Sequence, residues 1–248
     1  MNLLEVEGLA KTYSGRRVVD GVSFGVQPRQ IVGLLGRNGA GKTTTFRMIL
    51  GMVVPDAGTV AFDGTDVTHL PMFRRARLGI GYLSQERSDF RRLTVYQNLI
   101  AILETRSLSR KERQDRAMDM LERYGLSHVK DSPAAVLSGG ERRKLEISRA
   151  LVTDPKLMLL DEPFAGVDPV AKEEIQGEIR RLRDEFGKGV LITDHDAERT
   201  LQVCDEALIV DSGTLLFSGK PADAAADETV RRVYLGHNFA RGLDTAEA

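Results

Sequence analysis

Residues 30–50, QIVGLLGRNGAGKTTTFRMIL, constrain the fold more than any other stretch of the chain. An apolar run too short for a helix enters a glycine turn, and a helical pattern leaves it. Glycines there let successive backbone N–H groups curl inward, and the start of the next helix adds partial positive charge. Gly36, Gly41, Lys42 and Thr43 carry the phosphate-loop spacing in the strand-to-helix setting it needs. The candidate nucleotide grip therefore comprises Gly36, Arg37, Asn38, Gly39, Ala40, Gly41, Lys42, Thr43 and Thr44. Lys42 is suited to neutralising the β and γ phosphates, and the Thr43 hydroxyl to ligating Mg²⁺.

Three further short runs, residues 80–85 (IGYLSQ), 156–162 (KLMLLDE) and 189–195 (GVLITDH), are apolar at both parities. That is the pattern of strands covered on both faces. Helical patterns fall at residues 42–50, 138–152, 170–186 and 197–203, so the order predicts an α/β domain with a mainly parallel sheet. The first 30 residues and residues 58–64 (GTVAFDG) alternate and are broken by glycine, as in antiparallel strands. Residues 206–219 read as a hairpin turning at Ser212-Gly213. From 86 to 152 the strand signal disappears and apolar residues recur at helical spacing, with Gly125 placed to end a helix. The expected organisation is a nucleotide-binding core with an antiparallel β subdomain at 1–85 and 153–227, a helical subdomain at 86–152, and a tail at 228–248. The last tail residues lack apolar periodicity and are expected to fray.

Asp161 and Glu162 end one predicted strand, at the edge where such sheets bind ligands. Asp161 suits Mg²⁺ held through water, and Glu162 can orient or deprotonate an attacking water. Gln85 and His195 end two other strands at the same edge. The Gln85 amide can reach metal and water, and His195 can reach a γ-phosphate. Each of the four is unremarkable alone; their weight comes from the shared edge.

Composition removes several classes. A formal net charge of −1 argues against broad nucleic-acid binding. Cys204 is the only cysteine, so no internal disulfide can form, nothing in the sequence resembles a zinc site, and the residue is expected to be half-buried on a helix. No run approaches the roughly 18–20 apolar residues of a membrane span, and the charged N-terminus lacks a signal-peptide core. The chain is thus expected in the cytoplasm, touching a membrane only through a partner.

LSGGE at 137–141 and AGVD at 165–168 complete a set in which the chain resembles the ATP-binding subunits of ABC transporters, over residues 3–239. The stretches QERSDFRRLTVYQNL, LDEPFAGVDP, GVLITDHD and VRRVYLGHNF are most similar to the lipopolysaccharide-export ATPases of Gram-negative bacteria; branched-chain amino-acid importer ATPases are near relatives. The resemblance implies a P-loop NTPase core with an N-terminal antiparallel β subdomain and an inserted α-helical subdomain. It implies ATP and Mg²⁺ as cofactors and a homodimer paired head to tail. In that pair Ser138, Gly139 and Gly140 of one copy close over the ATP of the other, and Asp168 joins the two sites. Tyr13 matches the aromatic that stacks on adenine; a strand tyrosine packed on its neighbours is the alternative. Transmembrane permease subunits would dock near Phe90, Arg91, Arg92 and Tyr96 on the cytoplasmic face of the inner membrane; a solvated basic turn with a packed tyrosine is the plainer reading. The tail VYLGHNF either stabilises the dimer or caps locally. Arg37 and Ser84 depart from the family, which commonly has proline at both places; each frees an N–H and relaxes φ. The rivals are an importer subunit and a soluble ABC ATPase acting on ribosomes or DNA. The soluble class commonly has paired modules or long heptad coiled coils, and this chain has neither. A P-loop kinase would have no use for LSGGE and AGVD.

Overall fold

The computed structural model describes residues 2–235; the end of the VYLGHNF segment and the tail beyond it lie outside the described residues. The N-terminal part runs β1 (Leu4–Tyr13), β2 (Arg16–Val26), β3 (Ile31–Leu35), α1 (Lys42–Leu50), β4 (Ala57–Phe62), β5 (Thr65–Asp66), α2 (Met72–Leu78) and β6 (Ile80–Leu83). The helical part follows as α3 (Val95–Leu103), α4 (Arg110–Arg123) and α5 (Gly139–Leu151). The chain then returns through β7 (Leu157–Asp161), α6 (Pro169–Asp184), β8 (Gly189–Thr193), α7 (Ala197–Leu201), β9 (Glu206–Asp211) and β10 (Thr214–Gly219), and closes with α8 (Pro221–Ala226) and α9 (Glu228–Val230).

One sheet is antiparallel, in the order β2-β1-β4-β5; the other runs β10-β9-β3-β8-β7-β6 and is parallel except for the β9–β10 hairpin. Every residue of β3 and β8 is buried, which is why neither parity showed polar residues. Alternate residues feed opposite faces. Ile31, Leu35, Leu160 and Ile192 join one apolar cluster, and Val32, Leu34, Leu159 and Leu191 join the other.

Register places the site. Leu34 pairs with Thr193, Asp161 with Thr193 and Leu83 with Leu160, so β3, β8, β7 and β6 end side by side. At or just beyond those ends lie Gly36, Asp194 and His195, Asp161 and Glu162, and Ser84 and Gln85. The β9–β10 turn has φ of 48° at Ser212 and 86° at Gly213, the backbone of a type I′ hairpin. Its tip supports the glycine loop: the Gly213 N–H donates to the Ala40 carbonyl at 2.9 Å.

In the helical part α3, α4 and α5 start from Thr94, Ser109 and Ser138, each in a reciprocal capping box with the residue three further on. Gly125, at φ 65°, ends α4 as expected, donating to the Glu122 carbonyl. α7 stops at Leu201, short of the predicted 203, so Cys204 lies beyond the helix and is buried rather than half-buried. It packs under Gly33, and burial pushes its thiol up to about 12, which makes it inert. No helix among the described residues is long and apolar enough to cross a membrane.

Candidate active site

The turn between β3 and α1 is closed from inside. The Lys42 side chain is buried, its Nζ donating to the Gly36 carbonyl at 2.5 Å and the Arg37 carbonyl at 3.0 Å. Burial lowers its pKa, and the carboxylates of Glu162 and Asp194 oppose that shift. Glycine is obligatory at 36 and 41. A Cβ on Gly36 would lie 2.1 Å from the Val210 carbonyl, and one on Gly41, at φ 106°, 2.7 Å from that of Val18. Arg37, Asn38, Gly39 and Thr43 are exposed, Thr44 is half-buried and Ala40 is buried.

The strand ends converge on one oxygen. Glu162 Oε2 accepts from Gln85 Nε2 at 2.9 Å and lies 3.5 Å from His195 Nδ1. Glu162 itself has φ 48°, a left-handed backbone held by its N–H donating to the Thr193 carbonyl at 2.6 Å. Such a conformation in a non-glycine residue costs on the order of 1–3 kcal/mol and concentrates at functional sites. Asp161 is partly buried, burial raises its pKa, and Oδ2 accepts from the Tyr82 hydroxyl at 3.2 Å.

Tyr82 and Asp194 escaped sequence reasoning. Asp194 is fully buried; its carboxylate accepts from the Phe164 N–H at 2.9 Å and the Asp196 N–H at 2.8 Å, while burial raises its pKa. It thereby ties the chain after Glu162 to the chain around His195. The available signal was a charged residue continuing the wholly apolar run VLIT. Ser84, at the family's proline position, closes its turn by donating from Oγ to the Glu86 carbonyl at 2.7 Å.

LSGGE stands apart from this cluster. The Ser138 N–H and Oγ both donate to Glu141 Oε2, at 2.9 and 2.6 Å, and these bonds hold the Glu141 carboxyl below its usual pKa. Gly139 and Gly140 are exposed, and a Cβ on either would meet nothing within 4 Å. With Asp168 they line a cavity of about 790 Å³ that also includes Gln85, Tyr124 and Glu178 but no residue of the 36–44 loop. Asp168 Oδ1 accepts from the Val170 N–H at 3.1 Å at the start of α6.

Tyr13 ends β1 with its ring 45% exposed and Lys11 Nζ 5.6 Å from the ring centroid. Phe90 is equally exposed at 45%, with the Arg149 guanidinium 4.2 Å over its ring. The buried Asn98 side chain clasps the Phe90 backbone, accepting from its N–H at 2.8 Å and donating to its carbonyl at 3.1 Å. Arg91 and Arg92 are exposed; Tyr96 is half-buried and packs on the helical core.

Comparison with known proteins accords with this geometry. Residues 19–165 match the family described as ABC transporter. The chain is similar to the lipopolysaccharide export system ATP-binding protein LptB of Escherichia coli (strain K12), 54% identical over 240 residues, 96% of this chain and 99% of that one. The LptB of Haemophilus influenzae is 52% identical over the same shares. Among solved structures, the ADP conformation of MJ1267, an ATP-binding cassette of an ABC transporter, superposes with a TM-score of 0.84 at 29% identity, covering 95% of this chain and 99% of that one.

Proposed function

The chain belongs to the ABC transporter family as an ATP-binding subunit, and from that premise we propose that it hydrolyses ATP as a head-to-tail homodimer to drive lipopolysaccharide export through membrane permeases. The observation that carries the dimer is the contrast between its glycines. Gly36 and Gly41 of the phosphate loop are required by contacts within the chain and Gly39 by its left-handed φ of 80°, whereas Gly139 and Gly140 border open space. The first turn of α5, with no Cβ at Gly139 or Gly140, offers N–H groups to an anion that must approach closely. The loop that grips phosphate in the same chain lines none of that cavity, so the anion comes from a second copy.

In this reading the 36–44 backbone and Lys42 hold the phosphates, and Tyr13 presents an exposed ring to adenine. Mg²⁺ fits the donors at hand. Thr43, Asp161 and Gln85 offer hard oxygen atoms, and the described residues contain no group of three acidic, histidine or cysteine side chains placed to hold a metal ion among themselves. That sparse set suits an ion held largely by phosphate and water. When bound, Mg²⁺ neutralises charge on the transferring phosphoryl group. Glu162 orients and deprotonates the water, Gln85 holds its carboxylate, and His195 contacts the γ-phosphate. Hydrolysis is mostly positioning and charge stabilisation. A site completed only when two copies close therefore links chemistry to motion.

The division into a core at 1–85 and 153–227, a helical subdomain at 86–152 and a tail from 228 serves this coupling. Phe90, Arg91 and Arg92 form the exposed patch for a permease helix, with Tyr96 supporting it from the core side. The protein would then sit peripherally on the cytoplasmic face of the inner membrane. The lipopolysaccharide assignment is supported by the identity to LptB over nearly the whole of both chains. Mild-detergent co-purification with mass spectrometry tests it. Lipopolysaccharide-export permeases are expected; amino-acid permeases would reassign the cargo, and ribosomes or DNA alone would overturn the transporter reading.

A further inference from the structure

Among the described residues Arg75, in the middle of α2, is the largest fully buried side chain, at 1% exposure. Among the described residues no carboxylate lies within ion-pair distance of it. Its guanidinium is instead spent on backbone carbonyls. Nε donates to Leu70 at 2.8 Å, Nη2 to Thr68 at 2.9 Å, and Nη1 to Met48 at 2.8 Å and Ile49 at 2.6 Å. Burial lowers its pKa to about 10, so the charge persists at neutral pH.

The place of these acceptors matters more than their number. Met48 and Ile49 lie in the last turn of α1, where carbonyls fall outside the regular helical ladder and a cation is favoured; that of Met48 also accepts from the capping Gly51 N–H at 3.2 Å. The chain makes room for the fork: Gly51 caps α1 at φ 78°, and a Cβ there would lie 2.6 Å from Arg75 Nε. The opposite end of α1 begins with Lys42 and Thr43. Arg75 belongs to α2, which passes through Gly79 directly into β6, and β6 delivers Gln85. One guanidinium thus joins the helix bearing the phosphate grip to the arm bearing Gln85. An apolar side chain would fill the same volume without the cost of desolvating a charge, and a lysine could not offer the same fork.

We propose that Arg75 is a positioning residue for ATP hydrolysis: it fixes the register of Gln85 against Lys42 and Thr43 by clamping the carboxyl end of α1 to α2. It touches neither nucleotide nor metal and acts through α1 and β6. The proposal rests on the Mg-ATP reading above, and its test separates the two.

The test compares wild type, Arg75→Met, Arg75→Lys and Leu121→Ala, the last a core truncation in α4, which belongs to neither arm. Mn²⁺ affinity is read by electron paramagnetic resonance with a non-hydrolysable ATP analogue, beside melting temperature, kcat, KM and nucleotide affinity in EDTA. Arg75→Met is expected to weaken Mn²⁺ binding and lower kcat by about tenfold each, the scale of a lost second-layer contact, with nucleotide affinity in EDTA unchanged. Arg75→Lys falls between, and Leu121→Ala lowers the melting temperature alone. If Arg75→Met melts earlier but keeps wild-type Mn²⁺ affinity and kcat, Arg75 is only a buried cap and the proposal is overturned. Should Arg75→Met not fold, unchanged Mn²⁺ affinity in Arg75→Lys overturns it equally. A wild type that binds no Mn²⁺ with the analogue overturns the metal reading itself and this proposal with it.

Discussion

Gly140→Ala separates what the fold needs from what the reaction needs, because the two effects have opposite sign. Gly140 is exposed in the first turn of α5, lies outside the left-handed region, and has no atom within 4 Å of where a Cβ would stand. Alanine is therefore unstrained, and exchanging glycine for it in a helix stabilises by up to about 0.5–1 kcal/mol. For a chain of this size that is a rise in melting temperature of about 1–4 °C. In the proposed closed pair the same methyl group would stand between the helix N-terminus and the phosphate of the other copy. Losing one such backbone donor costs about 100- to 1,000-fold in turnover. Thermal unfolding followed by circular dichroism gives the first effect, and steady-state ATPase activity the second. Light scattering in a Glu162→Gln background, with Mg-ATP, reads the dimer directly. A Gly140→Ala protein that turns over like wild type would refute the sandwich assignment of this helix; one that melts several degrees lower would refute the local geometry.

Glu162→Gln keeps an oxygen for the Gln85 amide but removes the base, so hydrolysis should fall by about 100- to 10,000-fold while ATP still binds. Sizing chromatography with Mg-ATP should show an accumulated dimer, and a monomer both alone and with the membrane partner would count against the mechanism. Phe90→Ala removes the exposed ring under Arg149, and co-purification with permeases should be lost with ATP binding retained; retained co-purification would move the docking site elsewhere. Burial raises the pKa of Asp161, so protons compete with metal there at higher pH than at an ordinary carboxylate. Mn²⁺ affinity titrated from pH 8 downward should decline as pH falls through that raised value, and Asp161→Asn should flatten the decline; equal slopes in the two proteins would remove Asp161 from the metal site.

The legible parts of the fold were those in which burial and periodicity agree. β3, β7 and β8 are enclosed on both faces, so their sequences carry no polar alternation to confuse with a helix. α2 and β5 were invisible for the opposite reason. Only Arg75 of α2 is buried, so no apolar stripe exists to count, and β5 is a two-residue Thr-Asp pair on a sheet edge. Within the site, Gln85, Glu162 and His195 could be placed at one edge by strand order, but not on one oxygen. That convergence depends on the left-handed backbone of Glu162, which no local pattern of non-glycine residues announces. Asp194 was hidden because one of the two backbone N–H groups it accepts from is distant in sequence, and only a folded chain brings Phe164 within reach.

Two glycine-led helix starts in one chain look redundant until each glycine is asked what forbids a side chain. At 36 and 41 the answer is internal, since carbonyls of Val210 and Val18 stand where a Cβ would go. At 139 and 140 the chain forbids nothing, and helix propensity favours alanine by a measurable amount. Glycine at the second pair carries a cost to the monomer that the monomer does not recover. The capping box of Ser138 and Glu141 nevertheless holds that helix end rigid and exposed, as a preformed surface would be. A cost borne by one chain and recovered only on contact with another molecule is what an incomplete site looks like from inside. The ligand with matching chemistry is a phosphate group, and the loop proposed to grip phosphate in this chain lines none of that cavity. On the proposed reading, the smallest assembly that satisfies both ends is two copies, each supplying the half that the other lacks.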